Sequence, residues 1–183
     1  MNLDYKRLKK TYIDLFHNEE KCDHVLTDVL FGFKEFYSFI DDENINKVLE
    51  IGSGTGILLK EFSNIFKKKN FYGLDPHKKG FNDYENVSKK ISNDNLSIFH
   101  EDFAKFKPEN KFDLVISFNV FEHLDDPINY IEKINTFLNH NGKSIILCPN
   151  YDFPYEPHFV IPIIYNKKIT YKLFKNKIIK HEL

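Results

Sequence analysis

The sequence predicts an open, doubly wound α/β sheet, mostly parallel. Beyond residue 46, apolar runs of four to seven residues alternate with amphipathic helical stretches. Those runs are rich in β-branched, aromatic and Leu side chains, as strands buried on both faces are. The first run also leads directly into a glycine-rich turn at 52–56 and then a helical stretch, the strand–turn–helix opening of a nucleotide-type fold.

Residues 1–44 read as helical. Tyr5, Leu8, Tyr12, Leu15 and Phe16 recur at three- and four-residue steps, as do Val25, Val29, Leu30, Phe33, Phe36, Tyr37 and Ile40. The polar run Asp41-Asp42-Glu43-Asn44 ends the segment. Five strands follow at Val48–Ile51, Phe71–Leu74, Leu96–Phe99, Phe112–Phe118 and Ser144–Leu147. Helices are expected at about 57–67, 81–91 and 127–139. In the last, Asp126 can cap, Pro127 suits the first helical position and Gly142 stands beyond the end. Its apolar face is expected to hold Ile128, Ile131, Ile134 (or Asn135), Phe137 and Leu138. Prolines at 149, 154, 157 and 162 make 149–162 a structured loop. Residues 163–180 suit either a terminal helix or a weak strand pair.

The chain has 183 residues, the size of one domain, and no internal repeat. It is expected to form a single domain over 1–183: a helical cap at 1–44, a core at 46–150, and a loop with a C-terminal segment at 151–183. Hydrophobic residues make up 42% and charged residues 29%, which excludes a disordered chain. The net charge of -1 gives no field to recruit nucleic acid or an acidic membrane. The single arginine, Arg7, argues the same way, because arginine is the usual bidentate reader of guanine and phosphate. The lysine runs 67–69, 78–79 and 89–90 read as solvated faces. No stretch approaches 18 apolar residues, and no apolar region follows the first charges. Cys22 and Cys148 form no metal or redox pair and read as reduced thiols of a cytoplasmic protein.

The strongest chemical signal is Val48-Leu49-Glu50-Ile51-Gly52-Ser53-Gly54-Thr55-Gly56. Glycines let the chain turn tightly and approach a ligand closely, and the helix start adds free amides. A dinucleotide fingerprint would need glycine at 57, where Ile57 stands. A phosphate-binding P-loop would need Gly-Lys-Ser/Thr at its end. The nearest such triplet, Gly142-Lys143-Ser144, has Phe137 where the earlier glycine belongs.

The pattern Glu-x-Gly-x-Gly-x-Gly resembles motif I of the class I S-adenosylmethionine-dependent methyltransferases. Three further segments are similar to that family in order. Phe71–Asp75 resembles its second strand with a terminal acid, 19 residues after Gly56. His100–Phe103 resembles the turn after strand three, and Phe112–Leu124 the fourth strand and its following turn. The match spans about residues 46–150 and implies a Rossmann-like methyltransferase fold.

The resemblance implies a site. Gly52, Ser53 and Gly54 would line the methionine part and ribose of the cofactor, and Glu50 would help hold its ammonium. Asp75 would accept from the ribose diol. Asp102 would accept from the adenine amino group, with Glu101 an equal candidate. Pro76, His77 and Phe103 would offer flat or apolar contacts to the ring. Asn119 and His123 would flank the methyl group, with His123 a candidate general base or, alternatively, a helix cap. The segment 149–162, which looks similar to methyltransferases of bacterial surface-glycan clusters, would add His158 to an acceptor pocket or serve only as a lid. A metal at Glu122, His123 and His158 is disfavoured by Asn119, where metal-using relatives carry a carboxylate. The expected activity is methyl transfer to oxygen on a small metabolite or sugar intermediate, with no nucleic-acid or membrane partner. The rival expectation is a truncated, catalytically silent protein that binds the cofactor or a partner. The family's last two strands form a hairpin beside strand five, and here it is expected to be missing or reduced to Ile161–Tyr165 and Ile169–Phe174. A homodimer is one way to cover the exposed edge.

Overall fold

The structure, a computed structural model, describes residues 1–77, 82–149, 155–156, 161–162 and 167–181. Five strands build the main sheet: β1 Lys47–Ile51, β2 Asn70–Leu74, β3 Leu96–Phe99, β4 Phe112–Phe118 and β5 Leu138–Leu147. Their order is β3-β2-β1-β4-β5, and every pairing is parallel. The helices are α1 Tyr5–Tyr12, α2 Glu19–Ile40, α3 Ile57–Ile65, α4 Asn82–Lys90, α5 Pro127–Phe137 and α6 Lys167–His181.

Alternation along the strands sorts side chains onto two faces. Val48, Phe71, Leu114 and Ile116 meet α1 through α4 on one side. Leu49, Ile51, Leu74 and Val115 meet α5 and Phe106 on the other. The first 44 residues thus help build the core. In α2, Val25, Val29, Phe33, Phe36 and Ile40 are buried, and Phe33 stacks on Phe62 with ring centres 4.6 Å apart.

Arg7 has a structural task. Its guanidinium pairs with the buried Glu61 carboxylate of α3, and Tyr12 donates to the same carboxylate at 2.6 Å. This network pins α1 to α3.

Two details of the second half differ from expectation. The buried face of α5 is Tyr130, Ile134 and Phe137, while Ile128 and Ile131 are exposed. The rotation lets the Tyr130 hydroxyl reach Ser117 Oγ at 2.8 Å. Gly142 is also not a helix stop, because α5 ends at Phe137 and β5 begins at once. Residues 139–142 instead bulge out of the ladder, between the pairs Phe112–Leu138 and Leu114–Lys143. A Cβ on Gly142 would lie 2.9 Å from the Phe112 carbonyl oxygen.

Met1–Leu147 and Cys148–Leu183 form two compact units. In the second, β6 (Tyr155–Glu156) pairs antiparallel with β7 (Ile161–Pro162), followed by α6. Among the described residues the arms of this pair are two residues each, in keeping with a reduced hairpin; residues 163–165 of the expected first arm lie outside the described residues. The arm expected at Ile169–Phe174 is helical, in a lysine-rich segment without strand alternation.

Candidate active site

Parallel pairing brings the carboxyl ends of β1, β2, β3 and β4 to one edge: Ile51 lies beside Leu74 and Ser117, and Leu74 beside Phe99. The turns 52–56, 75–77, 100–106 and 119–123 all leave this edge. Strand order reverses between β1 and β4, the switch point where open α/β sheets bind ligands.

The glycine turn supplies the floor. Gly52, Gly54 and Gly56 have φ of +78°, +51° and +74°, a region costly for other residues. Gly52 is also enclosed, since a Cβ there would lie 2.2 Å from Val120 Cγ2. Its N–H donates to the Leu74 carbonyl at 2.8 Å, and that of Ser53 to the same oxygen at 3.3 Å. The Ser53 hydroxyl is buried over Gly73 and lacks a hydrogen-bond partner among the described residues.

Two carboxylates flank this floor. Glu50 is 3% exposed, and its Oε2 is buried without a hydrogen-bond partner among the described residues. Burial, then the charge of Asp75, pushes its carboxyl up to about 8. Such a group ionises at neutral pH only when a cation joins it. Asp75 lies at the end of β2, where Oδ2 accepts from Gly54 N–H at 2.9 Å and Oδ1 from His77 N–H at 2.8 Å. Each oxygen retains a lone pair for a ligand hydroxyl.

The remaining expected residues are placed variously. Pro76 is exposed at the crevice. His77 differs from expectation: its side chain is 1% exposed, so its ring offers no face to a ligand. The ring points beneath the turn to the Gly54 carbonyl at 2.8 Å and to His100 Nδ1 at 2.8 Å. Asp102 Oδ1 accepts from Ala104 N–H at 2.8 Å, while Glu101 is exposed. The Phe103 ring packs on Tyr130 and Phe137 of α5, under the Lys133 ammonium. Asn119 has a φ of +54° and an exposed side chain, and its N–H donates to the Leu147 carbonyl at 3.0 Å.

His123 ends a short 3-10 turn, Phe121–His123, with its side chain 62% exposed and Nε2 3.9 Å from Glu122 Oε1. The Glu122 side chain is 2% exposed, and both its oxygens lack hydrogen-bond partners among the described residues. Its buried state is a feature that sequence reading missed, because a Glu beside a His after a strand gives no sign of burial. His158 lies outside the described residues. Among the described residues, no group of three His, Cys, Asp or Glu is placed to hold a metal ion. A cavity of about 370 Å³ lies elsewhere, between Lys111 at the opposite end of β4 and Lys133 of α5.

A parallel sheet of this order, with a triple-glycine turn between a buried Glu and a strand-end Asp, defines the class I methyltransferase fold. A family model described as a methyltransferase domain matches residues 17–177, and the chain belongs to that family, the S-adenosylmethionine-dependent methyltransferases. Malonyl-[acyl-carrier protein] O-methyltransferase 2 of Ilyobacter polytropus is 34% identical over 106 residues, covering 57% of this chain and 40% of the relative. An uncharacterized protein of Mycobacterium tuberculosis is 40% identical over 78 residues, 43% of this chain and 26% of the relative. Among solved structures, the plantazolicin methyltransferase in complex with a triazolic desmethylPZN analog and SAH superposes with a TM-score of 0.58. It is 16% identical, and the match covers 82% of this chain and 54% of that one. The chain spans from about a quarter to about half of the length of these relatives.

Proposed function

We propose that this domain binds S-adenosylmethionine in the crevice between β1 and β4 and transfers its methyl group to an oxygen of a small-molecule acceptor, a sugar or related metabolite. The observation that carries the reading is the buried Glu50 carboxyl, whose Oε2 has no hydrogen-bond partner among the described residues, beside a glycine turn whose other flank is Asp75. An ammonium would satisfy Glu50, and a ribose diol would use the lone pairs left on Asp75. Gly52, Ser53 and Gly54 supply the floor, with Asp102, Pro76 and Phe103 toward the adenine end and Asn119 toward the methyl end. When bound, the cofactor supplies a methyl group on a sulfonium, which departs as a neutral thioether.

The chain's own task is to align the acceptor, exclude water and take the acceptor's proton. His123 is our candidate for the proton, its exposed imidazole standing at the carboxyl end of β4; His158 is the second candidate. Curated relatives named as O-methyltransferases support an oxygen acceptor. No described helix is long and apolar enough to cross a membrane, and Cys22 and Cys148 are free thiols; we place the protein in the cytoplasm.

Calorimetry with S-adenosylmethionine, its demethylated product and NAD tests the cofactor. Micromolar binding of the first two without the third is expected, and the reverse preference overturns the reading. A metabolite screen with methyl-labelled cofactor then identifies the acceptor. With that acceptor, His123→Ala should lower turnover by roughly 100- to 10,000-fold while leaving cofactor affinity near its original value. Binding without transfer to any acceptor would point to a catalytically silent protein.

A further inference from the structure

We propose that His77 is the positioning residue of the cofactor cradle, and that with His100 it forms a latch that holds the glycine turn only while at least one of the two imidazoles is uncharged. The proposal rests on the cofactor lying on the glycine turn.

Both polar backbone groups of Gly54 are held by the segment after β2. The N–H donates to Asp75, and the carbonyl meets His77 Nε2 at 2.8 Å. A carbonyl can only accept, so Nε2 of His77 carries a proton. In a neutral ring Nδ1 is then bare, and His100 Nδ1, 2.8 Å away, must donate to it. This defines one arrangement: His77 protonated on Nε2 and His100 on Nδ1. His77 also has a φ of +44°, a strained value for a side chain of its size, kept where the surroundings over-determine it.

A first added proton fits on His100 Nε2 and leaves both hydrogen bonds intact. A second sets two N–H groups and two positive charges against each other across 2.8 Å, and the pair must part. Among the described residues, Asp75, Glu85 and Lys89 are the charged groups that act on it. Asp75 lies 3.8 Å from His77 Nε2. From α4, Glu85 favours and Lys89 opposes a charge on His100. Burial and then the facing His77 hold His100 below the ordinary histidine value, so the doubly charged pair belongs to acid pH.

The sequence alone hides this pair, 23 positions apart. Parallel pairing of β2 with β3 sets Leu74 beside Phe99 and so joins the two loops.

The test measures affinity for S-adenosylhomocysteine in wild type, His100→Asn and Asp75→Ala. An Asn at 100 can donate its amide N–H to His77 Nδ1, or turn its oxygen to a charged His77, so it keeps the contact without the clash. Between about pH 7.5 and about pH 5, wild type should weaken by about tenfold more than His100→Asn does, the worth of one hydrogen bond. His100→Asn should match it at the higher pH and keep only the dependence that Glu50 gives both proteins. Glu50 and Asp75 are present in both proteins, so the difference between the two profiles reports the pair. Nitrogen NMR of the wild-type rings should find His100 protonated on Nδ1 at neutral pH. Equal pH profiles, or His100 protonated on Nε2 alone, overturn the latch. Unchanged affinity in Asp75→Ala would overturn the cofactor placement instead.

Discussion

Glu50 is the residue at which folding and binding make opposite demands. Its carboxyl is raised to about 8 by burial and then by Asp75, against an ordinary value of 4.5. The folded protein therefore holds this proton more tightly than the unfolded chain does. Ligand-free stability should fall as pH rises from about 4.5 to about 8, by an amount on the order of a few kcal/mol. Glu50→Gln should abolish that loss: its melting temperature should exceed wild type at pH about 8 and match it near pH about 5, while its affinity for the cofactor drops. Parallel melting curves across this range would contradict the assignment. Asp75→Ala should weaken cofactor binding by about 1.5–3 kcal/mol, because charge-assisted hydrogen bonds are removed. It also frees the Gly54 and His77 amides. Isothermal calorimetry measures the loss, and an unchanged affinity would move the ribose elsewhere.

Among the elements, α1 is held to the core by a polar contact as well as an apolar one. Leu8 is fully buried, and Arg7 with Tyr12 meets the buried Glu61 carboxylate. Arg7→Ala should leave that carboxylate with Tyr12 alone and destabilise the fold by about 1–3 kcal/mol; the half-exposed arginine lowers the figure for a fully buried pair. Urea unfolding at neutral pH reads this, and Glu61→Gln in the same background should recover part of it. The α5 case shows where sequence reading stops. Ile128, Ile131, Ile134 and Phe137 offer a plausible apolar stripe, yet the helix turns Tyr130 inward. The choice depends on a hydroxyl partner, Ser117, 13 positions away on β4. Gly142 is similar: following a helical pattern it reads as a stop, whereas the close approach of the Phe112 carbonyl decides its place.

At the scale of the whole molecule, β1, β2 and β4 are interior strands, while among the described residues β5 pairs only with β4 in the main sheet. Polar Asn139, His140, Asn141, Lys143 and Ser144 of β5 are largely exposed, a composition that discourages edge-to-edge pairing. Hydrogen exchange should find the amides of Val48–Ile51 and Leu114–Ile116 the slowest, with outward-facing amides of Ile145–Leu147 orders of magnitude faster. Equal protection on β5 would mean that something covers the edge, and light scattering would then tell a second copy of the chain from a segment of its own.

The five strands of the main sheet, the helices α1 to α5 and the glycine turn were legible in the sequence, though β5 begins at Leu138 and not at Ser144; each follows from local pattern: apolar runs, a helical period, a cap at Asp126 and an acid four residues before Gly54. The places of Glu50 in β1 and Asp75 just after β2 follow from the same pattern, while their expected roles came from the family resemblance. Tertiary structure alone decided the inward turn of His77, its pairing with His100, the burial of Glu122 and the face that α5 presents. Each depends on groups brought together from different strands and loops. Sequence spacing records a period along one element, but the partner that satisfies a buried polar atom is set by the packing of several.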